Sequence, residues 1–458
     1  MRGYFWFICM TLVTILNSCS TGRHISNKNV KEKYVYGDGK HDDWQAIQSL
    51  LDKGGNIYFP AGIYKVSNTL HITKSHTHLL LHKDAIIECS SESFAVKGLG
   101  NGGATISFNH PTYITEEGEY ITDVGIEGGH VRNTTPNHER SRNNENAISF
   151  SHCDDFYCRN VVIDYCNRKG ITAQYFNKNG LIEDCTIRDC GLHGITIETS
   201  SDSIIIRNNH IYLNASHYAS GLNLDSGNHY GLHLTSSNDL RLENNEIEID
   251  EGYAICANNI KKLALVKNTI CQKGAPEQFS GVYLGSCMQL SITGNTIDSN
   301  SRGLVIGIHA ISSTNNTVED NKISARGNGL VINVVDSDST VVQIKGNNIL
   351  SEGNSLVLSG QTSTHHFDVM KNNMTSDLVV TNASVTLREN TARSCNIQKP
   401  LTSPFLEENK FQGLNVMNAS EQTRPVTRNN EFEEDYKNWK PKEYNDKIKG
   451  KRITNKKN

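Results

Sequence analysis

The sequence predicts an all-β chain wound into a parallel β-helix, and three observations carry that expectation. The apolar residue closing each "N-x-I"-like phrase falls at Ile163, Ile187, Ile211, Ile247, Ile270, Ile297, Ile323, Ile349 and Met374, in steps of 24, 24, 36, 23, 27, 26, 26 and 25 residues. Each repeat holds a second segment that starts at a small residue: Gly170, Gly194, Gly231, Ala254, Gly281, Gly303 and Gly329. These segments alternate as strands do, as in Gly194-Ile195-Thr196-Ile197-Glu198. No stretch between them has helical periodicity, although parallel strands in an open sheet need a crossover, usually a helix. Stacking each turn of chain on the last meets the pairing requirement without helices and turns Ile, Val and Leu into the bore.

The elements follow in chain order. Residues 1–18 read as a lipoprotein signal peptide: Arg2, then an apolar run from Phe5 to Leu16 that is too short to span a bilayer. The run ends in "LNSC", which resembles the lipobox of bacterial lipoproteins and implies lipidation at Cys19. Residues 19–33 read as a solvated tether, and residues 34–75 as the N-terminal cap of the stack. In "HDDWQAIQSLLDKGG", Asp42 or Asp43 caps a helix, Trp44, Ile47 and Leu51 share its apolar face, and Gly54 ends it. Such a helix covers the raw end of a solenoid. Residues 76–415 form the helix proper. Residues 416–458 are expected as a basic tail, the last nineteen carrying eight Lys or Arg against two acidic residues.

Composition excludes several classes. A net charge of −4 gives no reason to expect a nucleic-acid partner. No metal-ligand spacing appears, and no cofactor is expected. Asparagines at repeated turn positions suit hydrogen-bonded ladders along the axis. Cys166 and Cys190 occupy equivalent places in successive repeats, where parallel side-chain vectors disfavour a disulfide and favour a ladder of buried thiols.

The block "YGDGKHDDWQAIQSLLDKGGNIYFPAGIYKVS", residues 36–67, resembles the N-terminal signature shared by polygalacturonases, pectate-lyase-like enzymes and phage tailspikes of the pectate-lyase-like superfamily. The resemblance is specific over these residues and generic over the rest. It implies a right-handed helix and a polysaccharide ligand. It does not choose a reaction, because one fold hosts many.

The regular spacing breaks at one corner of the repeat. From closing residue to next strand start the distance is 7 residues after Ile163, Ile187 and Ile247, but 20 after Ile211, 11 after Ile270 and 16 from Val131 to Ala147. Stacking brings these insertions to one flank. Loops 132–146 and 212–230 then stand three coils apart, about 14 Å along the axis, as walls of a trough with Lys169 and His193 on an open floor. The first wall brings His138, Arg140 and Arg142, suited to carboxylates or sulfates. The second brings His217, Tyr218, Asp225, His229 and Tyr230. Lys169, His193 and Tyr230 share one repeat position, Gln174, Glu198 and Thr235 another, and Thr172, Thr196 and His233 a third.

These residue types suit a polysaccharide lyase acting by β-elimination on a uronic-acid glycan. Such an enzyme needs cations on the carboxylate (Arg140, Arg142), a base (Lys169 or His193) and an acid for the leaving oxygen (Tyr230 or His229). Gln174, His217, Asp225 and His233 complete the substrate-binding set. A glycoside hydrolase would instead pair Glu198 with Asp225 or Glu139. The adjacent aspartates, Gly-His-Gly phrase and Arg-x-Lys motif of polygalacturonases are not found in the corresponding coils. A non-catalytic glycan-binding solenoid is the third alternative. The expected location is exported and membrane-anchored, at the cell surface or in the periplasm.

Overall fold

The computed structural model describes residues 28–30, 34–89, 104–109, 118–132, 146–166, 168–214, 229–274, 279–309, 314–335, 339–435 and 441–455. Every step of the isoleucine series appears as register. Ile163 pairs with Ile187, Ile187 with Ile211, Ile211 with Ile247, and the pairing continues through Ile270, Ile297, Ile323 and Ile349 to Met374. All nine side chains are buried in one axial core. A regular coil has three strands, as in His193–Ile197, Asp202–Arg207 and His210–Leu213, and each pairs in parallel with its counterparts above and below. From Tyr230–Glu243 onward some coils merge the first two strands into one bent strand.

The small residues that open the first strand have a steric cause. At Gly194 a Cβ atom would lie 2.7 Å from the Gly231 carbonyl oxygen and 2.7 Å from Ile211 Cγ2. Backbone and isoleucine from the next coil already fill that corner. Gly194→Val is therefore expected to destabilise the fold by about 2 kcal/mol, read as a lowered midpoint in thermal melts.

The cap is a helix over Trp44–Leu51, with Ile47, Leu50 and Leu51 buried against the first coils. Trp44 is half-buried and its indole N–H donates to the Thr69 carbonyl at 2.9 Å. Asp43 occupies the N-cap position without a side-chain capping bond. Its carboxylate instead accepts the backbone N–H groups of Tyr36 (2.7 Å) and Gly37 (2.9 Å). Asp42 accepts from the Trp44 N–H at 3.1 Å, so the two aspartates divide the work of anchoring the helix.

The asparagine ladder runs from Asn209 through Asn245, Asn268, Asn295, Asn321, Asn347, Asn372, Asn390 and Asn409 to Asn430, and ends on Asp446. Each side-chain amide donates to the next rung at 2.9–3.0 Å. Cys166 and Cys190 form a parallel bridge, and all ten described cysteines are free thiols. The Cys166 thiol donates to the Lys169 carbonyl at 2.9 Å.

One expectation is corrected. Where the sequence suggests a solvated tail, strands Lys410–Met417, Val426–Phe432 and Glu443–Ile448 continue the stack, and Lys451–Asn455 folds back antiparallel on the last of them. The repeat persists there in disguise, as Asn390-Thr391-Ala392, Asn409-Lys410-Phe411, Asn430-Glu431-Phe432 and Asp446-Lys447-Ile448. Its rungs are only 18, 19, 21 and 16 residues apart, because strands of the third and first sheets fuse, as in Thr391–Gln398. The basic terminal hairpin closes the C-terminal end of the stack with Lys and Arg side chains, which discourage further edge pairing.

Candidate active site

In-register stacking places the sequence-selected residues together. Lys169 pairs with His193, His193 with Tyr230, and Tyr230 with Tyr253 along the start of the first sheet. Thr172, Thr196 and His233 form the next outward column. Gln174 and Glu198 follow their strands directly.

Glu198 is the centre of the group. Its Oε1 lies 3.3 Å from Lys169 Nζ and 3.3 Å from His233 Nδ1, and its Oε2 accepts a hydrogen bond from the Gln174 amide. The His233 contact has ion-pair distance without hydrogen-bond alignment. Burial alone would raise the Glu198 pKa, but His233, Lys169 and Gln174 outweigh it and hold the group at about 2. Lys169 is pushed down by burial and by Arg168, with Glu198 opposing. Glu198 is thus a carboxylate at every physiological pH, clamped on both oxygens.

Beside it is a packed set of rings. His193 stacks on Tyr230 with ring centroids 4.7 Å apart and lies 5.1 Å from His233, while Tyr230 stacks on His233 at 4.6 Å. Burial, then the charges of Lys169, His233 and His229, drive the His193 pKa well below its ordinary value. Burial lowers His229 to about 4 and pushes the Tyr230 phenol up, so His229 is neutral and Tyr230 keeps its proton.

The open floor is corrected. Lys169 and His193 are only 6% and 5% exposed, and the outward-facing Ser149, Thr172 and Thr196 are buried with them. Strands Asn146–Ser151, Lys169–Ala173 and His193–Ile197 are buried on both faces, so this part of the sheet is packed like a core strand on its outer side too. Glu198 and His233, whose side chains are each 19% exposed, reach the surface, flanked by half-buried Arg168, Gln174 and Tyr230. His193 supports them from beneath.

Wall residues His138, Arg140, Arg142, His217 and Asp225, with Glu139 and Tyr218, lie outside the described residues, as does Cys19. The strands flanking them keep the anticipated separation of three coils, Val131–Ile163–Ile187–Ile211. Sequence reasoning missed Tyr253, which shares the column of Lys169, His193 and Tyr230. The signal was available, since Tyr253 immediately precedes the strand start Ala254.

The buried histidines set an acid limit on stability. A group whose folded pKa is depressed contributes stability above its unfolded pKa and loses it as pH falls toward the folded one. For His193 and His229 the loss begins near 6.5, and for His229 it is complete near 4. For Glu198 it runs from 4.5 to about 2. Thermal melts are expected to show a midpoint that drops between pH 6.5 and 4 and drops again below. In His193→Gln the upper limb should be flatter.

The architecture is that of a parallel β-helix with an outward cluster of ionisable groups on its first sheet. Residues 28–222 match the family described as Rhamnogalacturonase A/epimerase, pectate lyase-like, and residues 211–336 match the right handed beta helix region. The chain is a right-handed parallel β-helix protein whose N-terminal part is similar to pectate-lyase-like proteins. Among characterised proteins it is 48% identical over 65 residues to Plasmin and fibronectin-binding protein A of Streptococcus pneumoniae (strain ATCC BAA-255 / R6). That segment is 13% of this chain and only 9% of the relative's length. Among solved structures, PfbA, a surface adhesin of Streptococcus pneumoniae, superposes with a TM-score of 0.48 at 17% identity, over 85% of this chain and 89% of that one. The Azotobacter vinelandii mannuronan C-5 epimerase AlgE4 A-module gives 0.40 at 14% identity, over 92% and 95%.

Proposed function

We propose that this chain is an exported enzyme, anchored to a membrane through Cys19, that cleaves a uronic-acid-containing polysaccharide by β-elimination. The observation carrying the reading is the Glu198 clamp, which holds an ionised carboxylate beside the His233 imidazole, with the Tyr230 ring stacked on that imidazole. The base is His233 rather than His193 or Lys169, because it reaches the surface and has the Glu198 carboxylate 3.3 Å from its Nδ1. In the reaction His233 takes the proton on the carbon beside the uronate carboxylate. The electron pair of that C–H bond becomes the new C=C bond, and the adjacent C–O bond breaks toward the leaving sugar. Tyr230, whose phenol is held protonated, delivers the proton to that oxygen. Arg140 and Arg142 neutralise the uronate carboxylate, which lowers the barrier to removing the neighbouring proton.

A hydrolase would need a second carboxyl group facing Glu198, one of the pair kept protonated. The candidates for that second group, Glu139 and Asp225, lie outside the described residues, and what favours elimination is that Glu198, held low by His233, Lys169 and Gln174, is unsuited to be the protonated member. A second reading, a surface solenoid that binds without cleaving, is favoured by the 48% identical segment in the plasmin- and fibronectin-binding protein. The test is incubation of the purified chain with polygalacturonate, rhamnogalacturonan and alginate, followed at the absorbance of unsaturated uronate. New absorbance is the expected result. Reducing ends without it would mean hydrolysis, and binding without either product would leave the adhesion reading.

A further inference from the structure

The aromatic side chains beside Glu198 continue beyond it along the axis. Tyr230 and Tyr253 stand on successive coils with ring centroids 5.9 Å apart, and Tyr283 follows at 5.6 Å from Tyr253. All three are half-buried. None is inward-facing, so the bore gains nothing from them. Two features fix their pose. Phe279 is buried and meets Tyr253 edge-on at 5.1 Å, propping its ring from below. At Gly285 a Cβ atom would lie 2.4 Å from Asn258 Oδ1 and 3.1 Å from the Tyr283 ring, so the absence of a side chain lets Tyr283 lie down on the sheet. Tyr283 lies three residues along the sheet, opposite Cys256, while Arg302 continues the Tyr230–Tyr253 column through Ser280, opposite which it pairs, with its Nε donating to the Phe279 carbonyl at 3.3 Å.

The geometry points to a row of glycan subsites running C-terminally from Glu198: Tyr230, Tyr253 and Tyr283 take the apolar faces of successive sugar rings, and Arg302 takes a carboxylate of the same chain. The inference rests on the glycan reading above and adds to it a direction and a length. Tyrosine offers a broad apolar ring at low entropic cost together with a hydroxyl for a sugar oxygen. Coils rise by about 4.8 Å, close to the advance of an extended glycan by one ring, so one tyrosine per coil meets one ring after another. From the coil of His193 to that of Arg302 is four coils, about 19 Å. Short oligomers therefore fill only the Glu198 end, and longer ones add the tyrosines and then the arginine.

The test is titration of size-defined oligomers of polygalacturonate, rhamnogalacturonan and alginate against wild type, Tyr253→Ala, Tyr253→Phe, Arg302→Gln and Tyr212→Ala, the last being an exposed tyrosine on another sheet. Wild-type affinity is expected to rise with length up to five or six rings, on the order of one ring for each coil spanned. Tyr253→Ala should weaken the long oligomers about tenfold and leave the shortest unchanged, Tyr253→Phe should retain most of the affinity, and Arg302→Gln should act only on the longest. Tyr212→Ala should match wild type. Length-independent affinity, or a Tyr253→Ala protein with a wild-type melt that binds long oligomers normally, overturns the row while leaving the Glu198 chemistry intact. A wild type that binds none of these glycans overturns both readings. If Tyr253→Ala does not fold, equal affinity of wild type and Arg302→Gln for the longest oligomer overturns the proposal by itself.

Discussion

Glu198→Gln is expected to cut product formation from the uronate polymer by about a thousandfold while the β-helix still forms. Glutamine matches glutamate in shape and can keep a hydrogen bond to Gln174, so the loss would come from the charge. The carboxylate sets a full negative charge 3.3 Å from His233 Nδ1, beside the imidazole that receives the substrate's proton, and a neutral amide does not. The substitution also strands Lys169, whose side chain is 8% exposed and whose ammonium is 3.3 Å from Glu198. Leaving a buried cation without its partner costs about 3 kcal/mol, so the single variant should melt early as well as fail in turnover. The two effects separate in Lys169→Met/Glu198→Gln. Removing both charges should restore most of the melting temperature, while activity stays lost. If activity returned with stability, Glu198 would be a structural counter-ion to Lys169 and the β-elimination reading would fall.

How much of this was legible in the sequence depends on which property a residue type encodes. Register was fully legible: closing residues Ile163 to Met374 pair in the order their spacing implies, because a buried column admits only apolar side chains at a fixed interval. The grouping of Lys169, His193, Gln174, Glu198, Tyr230 and His233 was legible for the same reason, since register places side chains as well as backbones. Depth was not legible. His193 and Glu198 each close or open a strand of alternating pattern, yet one is covered by the rings of Tyr230 and His233 while the other reaches the surface. Alternation distinguishes the bore from the outer face but says nothing about what lies over the outer face. The C-terminal coils escaped notice because the length of the repeat changed while its chemistry did not. Ala392, Phe411 and Phe432 replace the isoleucine, and the fused strands shorten the step to as little as 16 residues.

The asparagine rungs explain how the stack tolerates such changes in coil length, and they lead to the largest expected stability effect. Asn321→Ala should destabilise the protein by about 4 kcal/mol, from the loss of several buried hydrogen bonds whose partners cannot reach water. The Asn321 amide donates to Asn347 Oδ1 and to the Ile292 carbonyl, both at 2.9 Å, and its Oδ1 accepts the Asn295 backbone N–H and side-chain amide, both at 2.9 Å. Each rung thus receives from the coil before and gives to the coil after. The last rung needs only to receive, and there the residue is Asp446, accepting both Asn430 donors at 2.9 Å. Position along the stack should then decide how damage spreads, because a solenoid is stabilised mainly by contacts between neighbouring coils. Asp446→Ala should loosen the final coil alone, with faster hydrogen exchange confined to residues near 426–455. Asn321→Ala interrupts the middle, and exchange should quicken on both sides of it, across residues 292–349. Equal exchange patterns in the two variants, or an Asn321→Ala melt within a degree of wild type, would mean that the isoleucine core holds the register by itself and the ladder is its consequence.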